Sequence, residues 1–221
     1  MPVYSEANNL GDVLKYEAPN LYSREAVTVL AGSGADRVLA VGTVLGRRTR
    51  SAVTVTADAG NTGDGDPGAV TLGARAEAGT YTLICTAASA DAGTFEVLTP
   101  RGYKLPDLTV GQAYAGDHLN LTVADGATDF IVGDEVTVAV TGDGKVVALD
   151  TSGMDGTNEA LGIVAAEVTA PDGTDAEGLA IVRVAILSDH VMVWPDGITA
   201  AQKTAALGEL EARGILVRKG A

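Results

Sequence analysis

Cysteine, aromatic residues and positive charge are all scarce in this chain. A single cysteine, Cys85, stands among 221 residues. No internal disulfide can form, which excludes the disulfide-stapled secreted scaffolds and leaves Cys85 to be read as a small core residue. Aromatics make up 4% of the chain and Trp194 is the only tryptophan, so the packing surface has to come mainly from aliphatic side chains. Fifteen Lys and Arg face twenty-nine Asp and Glu, a net charge of −14. That balance excludes nucleic acid as a partner, because phosphate binding needs clustered Lys and Arg to release counterions. Two histidines, His118 and His190, starve most acid–base and triad schemes. The nucleophile elbow Gly-x-Ser-x-Gly and the phosphate-cradling Gly-x-x-x-x-Gly-Lys are both absent, so neither an enzyme nor a cofactor is expected. No run of 18 apolar residues occurs, and Met1 to Asn9 has neither a basic nor an apolar stretch. A soluble product with no membrane partner, made in the cytoplasm, is the expectation.

What is abundant is glycine, 28 residues, together with valine, threonine and alanine. This texture predicts a mainly β (β-rich α+β) chain of short strands joined by glycine turns. Residues 1–20 hold scattered polar groups and Pro19, and read as a flexible N-terminal arm. Tyr22 to Leu30 and Val38 to Gly46 read as two strands, the second continuous enough to be buried. From Ser51 to Thr141 twelve acids face three bases, a net of −9, whereas the rest of the chain nets −5. This shift predicts a separate acidic β domain over 51–141, with strands at Val53–Thr56, Ala69–Leu72, Gly79–Thr86, Thr94–Thr99, His118–Val123 and Asp134–Val140, in a sandwich or barrel. Lys145 to Asp150, Ala160 to Val164 and Leu179 to Ser188 continue as strands.

The C-terminal block carries the sharpest local signals. Val191-Met192-Val193-Trp194-Pro195-Asp196 makes a corner that proline fixes, Thr199 and Gln202 form a capping box, and Gly214 stops the helix before Ile215-Leu216-Val217. Strand, Trp-Pro-acid corner, capped helix and closing strand together resemble the C-terminus of the lambda-type phage head decoration proteins. Tyr22-Ser23-Arg24-Glu25, Val41-Gly42-Thr43-Val44-Leu45-Gly46 and Asp155-Gly156 through Ala160-Leu161-Gly162-Ile163-Val164 are similar to the earlier parts of that family. The resemblance covers about 1–50 and 142–221, giving a decoration domain at 21–50 plus 142–221 interrupted in a loop by the β domain at 51–141. It implies a homotrimer that binds the major capsid protein on the outer surface of the expanded head and stabilises the shell against DNA pressure. It further implies a capsid-binding segment at Pro19, Asn20, Leu21, Tyr22, Ser23 and Arg24, and a trimer or core corner at Trp194 and Pro195. The inserted domain would face solvent and could touch host surfaces.

The remaining polar features have plainer readings. The loop Asp58 to Pro67 is rich in acids, but its spacing does not fit a calcium loop, and a solvated turn is expected. Gly32-Ser33-Gly34 reads as a turn, Arg47, Arg48 and Arg50 as partners in surface ion pairs, and Asp134 and Glu135 as solubilising charges on opposite faces of a strand. The rival to a capsid role is an adhesin or carbohydrate-binding β module, for which Tyr81, Tyr103 and Tyr114 are the candidate platform residues.

Overall fold

The computed structural model describes residues 8–220. Strand accounts for 41% of the described residues against 9% helix, so the protein is mainly β as composition predicts. It divides into two compact units, one made of residues 1–48 and 144–221, the other of 49–143.

The chain begins with a helical turn, α1 (Leu10–Val13), and strands β1 (Leu14–Glu17), β2 (Arg24–Val29), β3 (Arg37–Leu39) and β4 (Val44–Arg47). The second unit then contributes β5 (Ala52–Ala57), β6 (Thr71–Leu72), β7 (Gly79–Ser89), β8 (Ala92–Leu98), β9 (Leu108–Thr109), β10 (Tyr114–Ala115), β11 (Leu119–Leu121) and β12 (Glu135–Thr141). Returning to the first unit are β13 (Val146–Ala148), β14 (Ala160–Val164), β15 (Val168–Ala170), β16 (Ala176–Ile181) and β17 (Ala185–Ser188), followed by α2 (Ala200–Ala212) and β18 (Ile215–Arg218).

In the first unit a closed barrel runs in the order β13-β2-β16-β14-β4. All five residues of β14 are buried, because both of its faces are covered: Leu161 and Val164 join one cluster with Val29, Leu45 and Val146, while Ala160 and Ile163 join another with Leu187, Leu210 and Ile215. The glycines of the two strand motifs have a steric cause. A Cβ on Gly162 would stand 2.0 Å from the Ile181 carbonyl oxygen, and one on Gly46 would stand 2.1 Å from that of Thr157, so only bare backbone fits. Helix α2 has the expected Thr199–Gln202 capping box and ends before Gly214 at φ +74°. Its Ala206 and Leu210 face the core, and Glu209 accepts the Ala160 N–H at 2.5 Å.

Two strands expected to be continuous are interrupted. Val38 to Gly46 is split into β3 and β4 by a turn at Gly42, φ +85°, and Leu179 to Ser188 into β16 and β17 around Val184, φ +42°. Apolar periodicity carries no sign of φ, so it runs through such breaks. Residues 8–20 also differ from the flexible arm expected of them. Val13 is fully buried, Asn8 donates to the Val191 carbonyl at 3.0 Å, and β1 pairs antiparallel with β17. The partner strand lies far along the chain, which is why local composition hides it. Residues 1–7 of the expected arm lie outside the described residues.

The second unit places a five-stranded sheet, β5-β12-β7-β8-β9, with a three-stranded one, β10-β11-β6. Strict alternation on β12 buries Val136, Val138 and Val140, and β7 buries Tyr81, Leu83 and Cys85 on the same core, with Phe95 set edge-on to Phe130 at 5.0 Å. Each such side chain contributes about 1.5–3 kcal/mol by leaving water. All six expected strands are present with shifted ends, and β9 and β10, two residues each, are additional.

Candidate functional site

The predicted capsid-binding segment lies at the turn between β1 and β2. Here the chain is held from within. The Ser23 hydroxyl is fully buried, accepts the Ala18 N–H at 2.9 Å and donates to the Val184 carbonyl at 2.7 Å. Arg24 makes a two-pronged contact with Glu17, Nε to Oε2 at 2.8 Å and Nη2 to Oε1 at 2.7 Å. That contact holds the Glu17 carboxyl below its ordinary range and raises Arg24. Arg183 donates to the Tyr22 carbonyl at 2.9 Å, lies 5.5 Å over the Tyr22 ring and pairs with Glu25, which also takes Arg47 at 2.5 Å. The Arg47 hydrogen bond in turn pulls the Glu25 carboxyl down.

Of the six predicted residues, Ser23 and Arg24 therefore serve the scaffold, and Pro19, Asn20, Leu21 and Tyr22 stand exposed at the tip. Leu21 is 62% and Tyr22 59% exposed. Asn20 and Leu21 both lie in the left-handed region, at φ 60° and 59°. Asparagine tolerates this, whereas a leucine there carries a strain of about 1–2 kcal/mol. The tip thus combines an exposed apolar side chain with a strained backbone.

Beside the tip, sequence reasoning missed a second exposed apolar feature. In the sheet β1-β17-β18, Tyr16 pairs with Ile186 and Ile186 with Leu216, so the three side chains form one outward row. Tyr16 is 51% and Leu216 41% exposed. A shallow cleft of about 340 Å³, lined by Leu207, Glu211, Leu216 and Arg218, adjoins this row. Only the pairing of strands far apart in the chain assembles it, and the one local signal is the in-out alternation of Ile215-Leu216-Val217.

The Trp-Pro corner packs inward. Val193 is bonded on both sides to the β4 entry, donating to Gly42 and accepting from Val44 at 2.9 and 3.0 Å. Trp194 is half-buried against the cluster of Val13, Val44 and Leu187, with Lys203 Nζ 4.8 Å from its ring centre and also paired to Asp189 at 2.7 Å. Its Nε1 is buried without a hydrogen-bond partner among the described residues.

Other candidate groups take structural places. Arg48 pairs with Asp155 at 3.2 Å. Asp134 is not the solubilising charge expected of it: it is 4% exposed and accepts N–H groups from Thr62, Gly63 and Ile131 at 2.9–3.0 Å, so it organises a loop. Burial pushes its carboxyl up, but the three donors outweigh burial and hold it below its ordinary range. In the acidic loop, Asp58 and Asp66 each accept an N–H two residues on, at 2.8 Å, as turn caps. Among the described residues, Asp91, Asp125 and Asp129 are the carboxylates that approach within 4.8 Å of one another, the spacing a cation would need. Of the tyrosines proposed as a platform, Tyr81 is wholly buried, Tyr114 half-buried and Tyr103 68% exposed.

Comparison with known proteins adds the following. No curated protein matches the chain. Two crystal structures of FlgL from Xanthomonas campestris are similar over 52% of this chain and 40% and 41% of theirs, at 19% identity and TM-score 0.33. The chain thus spans well under half the length of those structures. The family model of bacteriophage lambda head decoration protein D matches residues 3–215. With nearly its whole length matched, β1, the barrel and the Trp-Pro corner included, the chain belongs to the bacteriophage lambda head decoration protein D family.

Proposed function

We propose that the protein is a cement for the phage head: a homotrimer that binds the major capsid protein on the outside of the expanded shell and holds it against the pressure of packaged DNA. The observation that carries this reading is the strained, exposed tip Pro19-Asn20-Leu21-Tyr22 beside the apolar row Tyr16, Ile186 and Leu216, in a chain of the decoration family. β1 and β18 are the two edges of their sheet, and an extended capsid segment could add to either by backbone hydrogen bonding. Each protomer supplies a small apolar contact. Three contacts fixed on one trimer act at high effective concentration, so weak attachments multiply. Binding the assembled shell and not its separated subunits stabilises the shell by mass action. The net charge of −14 keeps decorated particles apart in solution.

Electron microscopy of expanded heads with and without the protein tests the placement, and heating the two preparations with an intercalating dye tests the cementing. Threefold density on the outer surface and a higher temperature of DNA release are expected. Heads that carry the protein and release DNA at the temperature of bare heads would remove the cementing role.

A further inference from the structure

The second unit carries a cleft of about 340 Å³ that capsid attachment leaves unused. Its size is near the lower end of ligand sites, which run about 300–1,000 Å³. Leu105, Pro106 and the half-buried ring of Tyr114 give it an apolar wall, and Arg75, Asp117 and His118 give it a polar rim.

The rim is built on fixed backbone. Arg75 donates its N–H to the Asp117 carbonyl at 2.7 Å, and Gly73 to that of His118 at 2.9 Å. The two charged side chains are 76% and 77% exposed and approach only to 4.0 Å, so each keeps hydrogen-bonding capacity for a ligand. Gly116 sets bare backbone beside the Tyr114 ring. His118 is oriented from behind: the buried Tyr81 hydroxyl accepts the Glu77 N–H at 2.7 Å and lies 3.1 Å from His118 Nδ1. The roles at this contact depend on the imidazole tautomer; in the tautomer that donates into the cleft, the hydroxyl donates to Nδ1 and Nε2 carries the hydrogen.

We propose that this cleft binds one neutral hexose unit of a glycan. A pyranose presents a C–H face that stacks on an aromatic ring, and its neighbouring hydroxyls each donate and accept. Tyr114 and Pro106 offer the stacking surface. The Asp117 carboxylate accepts from the sugar, and the Arg75 guanidinium and His118 Nε2–H donate to it. Charge selects a neutral sugar over an anionic one: Arg75 and Asp117 cancel within the cleft, while the unit around them, residues 49–143, holds thirteen acids and four bases, a net of −9. A few contacts of this kind support millimolar affinity at about −4 kcal/mol, raised when many copies on one particle meet many glycans.

The test is a titration of the isotope-labelled full-length protein with glucose, galactose, mannose and N-acetylglucosamine, with N-acetylneuraminic acid as the anionic arm, followed by amide chemical shifts. At least one neutral hexose should give saturable shifts at Arg75, Gly116, Asp117 and His118, and Asp117→Asn and Tyr114→Ala should each weaken it at least about tenfold. Asp117 is exposed, so its variant keeps the test sharp even where loss of the Tyr114 ring disturbs packing. No saturable shift with any neutral hexose at about 50 mM, well above a millimolar Kd, overturns the proposal. Saturation by the anionic sugar alone, or binding that Asp117→Asn leaves unchanged, overturns it as well.

Discussion

Replacing Leu21 with glycine should move stability and capsid attachment in opposite directions. Leu21 sits at φ 59° with 62% of its surface exposed. Glycine relieves about 1–2 kcal/mol of left-handed strain and returns about 0.5–1 kcal/mol of it through the freedom of the unfolded chain. Little packing is lost, because little exists. The free protein should therefore melt at the same temperature or a few degrees higher, at about 2–4 °C per kcal/mol for a chain of this size. On the shell the sign reverses. Covering the exposed part of a leucine is worth roughly 1–2 kcal/mol, so each attachment should weaken about five- to thirtyfold, and a trimer compounds the loss. Calorimetry of the free protein and co-sedimentation with expanded heads measure the two effects separately. Unchanged sedimentation, or a melting point lowered by several degrees, refutes the assignment of Leu21 as a strained docking residue.

Three other perturbations follow from the packing. Gly162→Ala forces a Cβ to within 2.0 Å of a backbone oxygen and should cost at least about 3 kcal/mol or prevent folding, whereas Gly208→Ala, in α2 with open space around it, should stabilise by about 0.5–1 kcal/mol; thermal melts of the pair check both. Asp134→Asn should cost about 2–3 kcal/mol by weakening the acceptor of three N–H groups. Because the Asp134 carboxyl is held below its ordinary 3.8, its contribution is complete above that pH and is lost as pH falls through the lower folded value, so denaturant midpoints from pH 6 to 2 should show a shallower acid decline in the variant than in the parent. Deleting residues 51–141 should leave a cooperatively folding first unit, since the chain returns beside its exit: Arg48 donates to the Lys145 carbonyl at 2.9 Å, and Gly144 to that of Arg48 at 3.0 Å. A short Gly/Ser linker spans such a gap, and loss of the near-UV signal of Trp194 would count against an independent core.

The parts of this fold that local chemistry dictates were legible in the chain. Thr199 and Gln202 announce a helix start, Gly214 its end, and the alternation of Val136, Val138 and Val140 a half-buried strand. What depends on distant partners was hidden. Leu14-Lys15-Tyr16-Glu17 alternates over only four residues, too short a stretch to announce a strand, and becomes one because β17 lies beside it. The same holds for the proposed docking surface. The tip at Pro19 to Tyr22 was named through resemblance to a family, but the withdrawal of Ser23 and Arg24 into the scaffold, and the row Tyr16, Ile186 and Leu216, arise from pairings the linear order does not display. Asp134 was misjudged for the related reason that a carboxylate's role is set by the N–H groups aimed at it, and those come from two separate loops.

The scarcity of reactive and fluorescent side chains gives this molecule two native reporters. Its one tryptophan, Trp194, packs in the first unit, and its one cysteine, Cys85, lies 1% exposed in the second, where burial pushes the thiol up and quiets it. Emission from Trp194 therefore follows the opening of one unit, while thiol labelling at Cys85 follows that of the other. The two units can be watched separately in the unaltered chain, without a single engineered substitution.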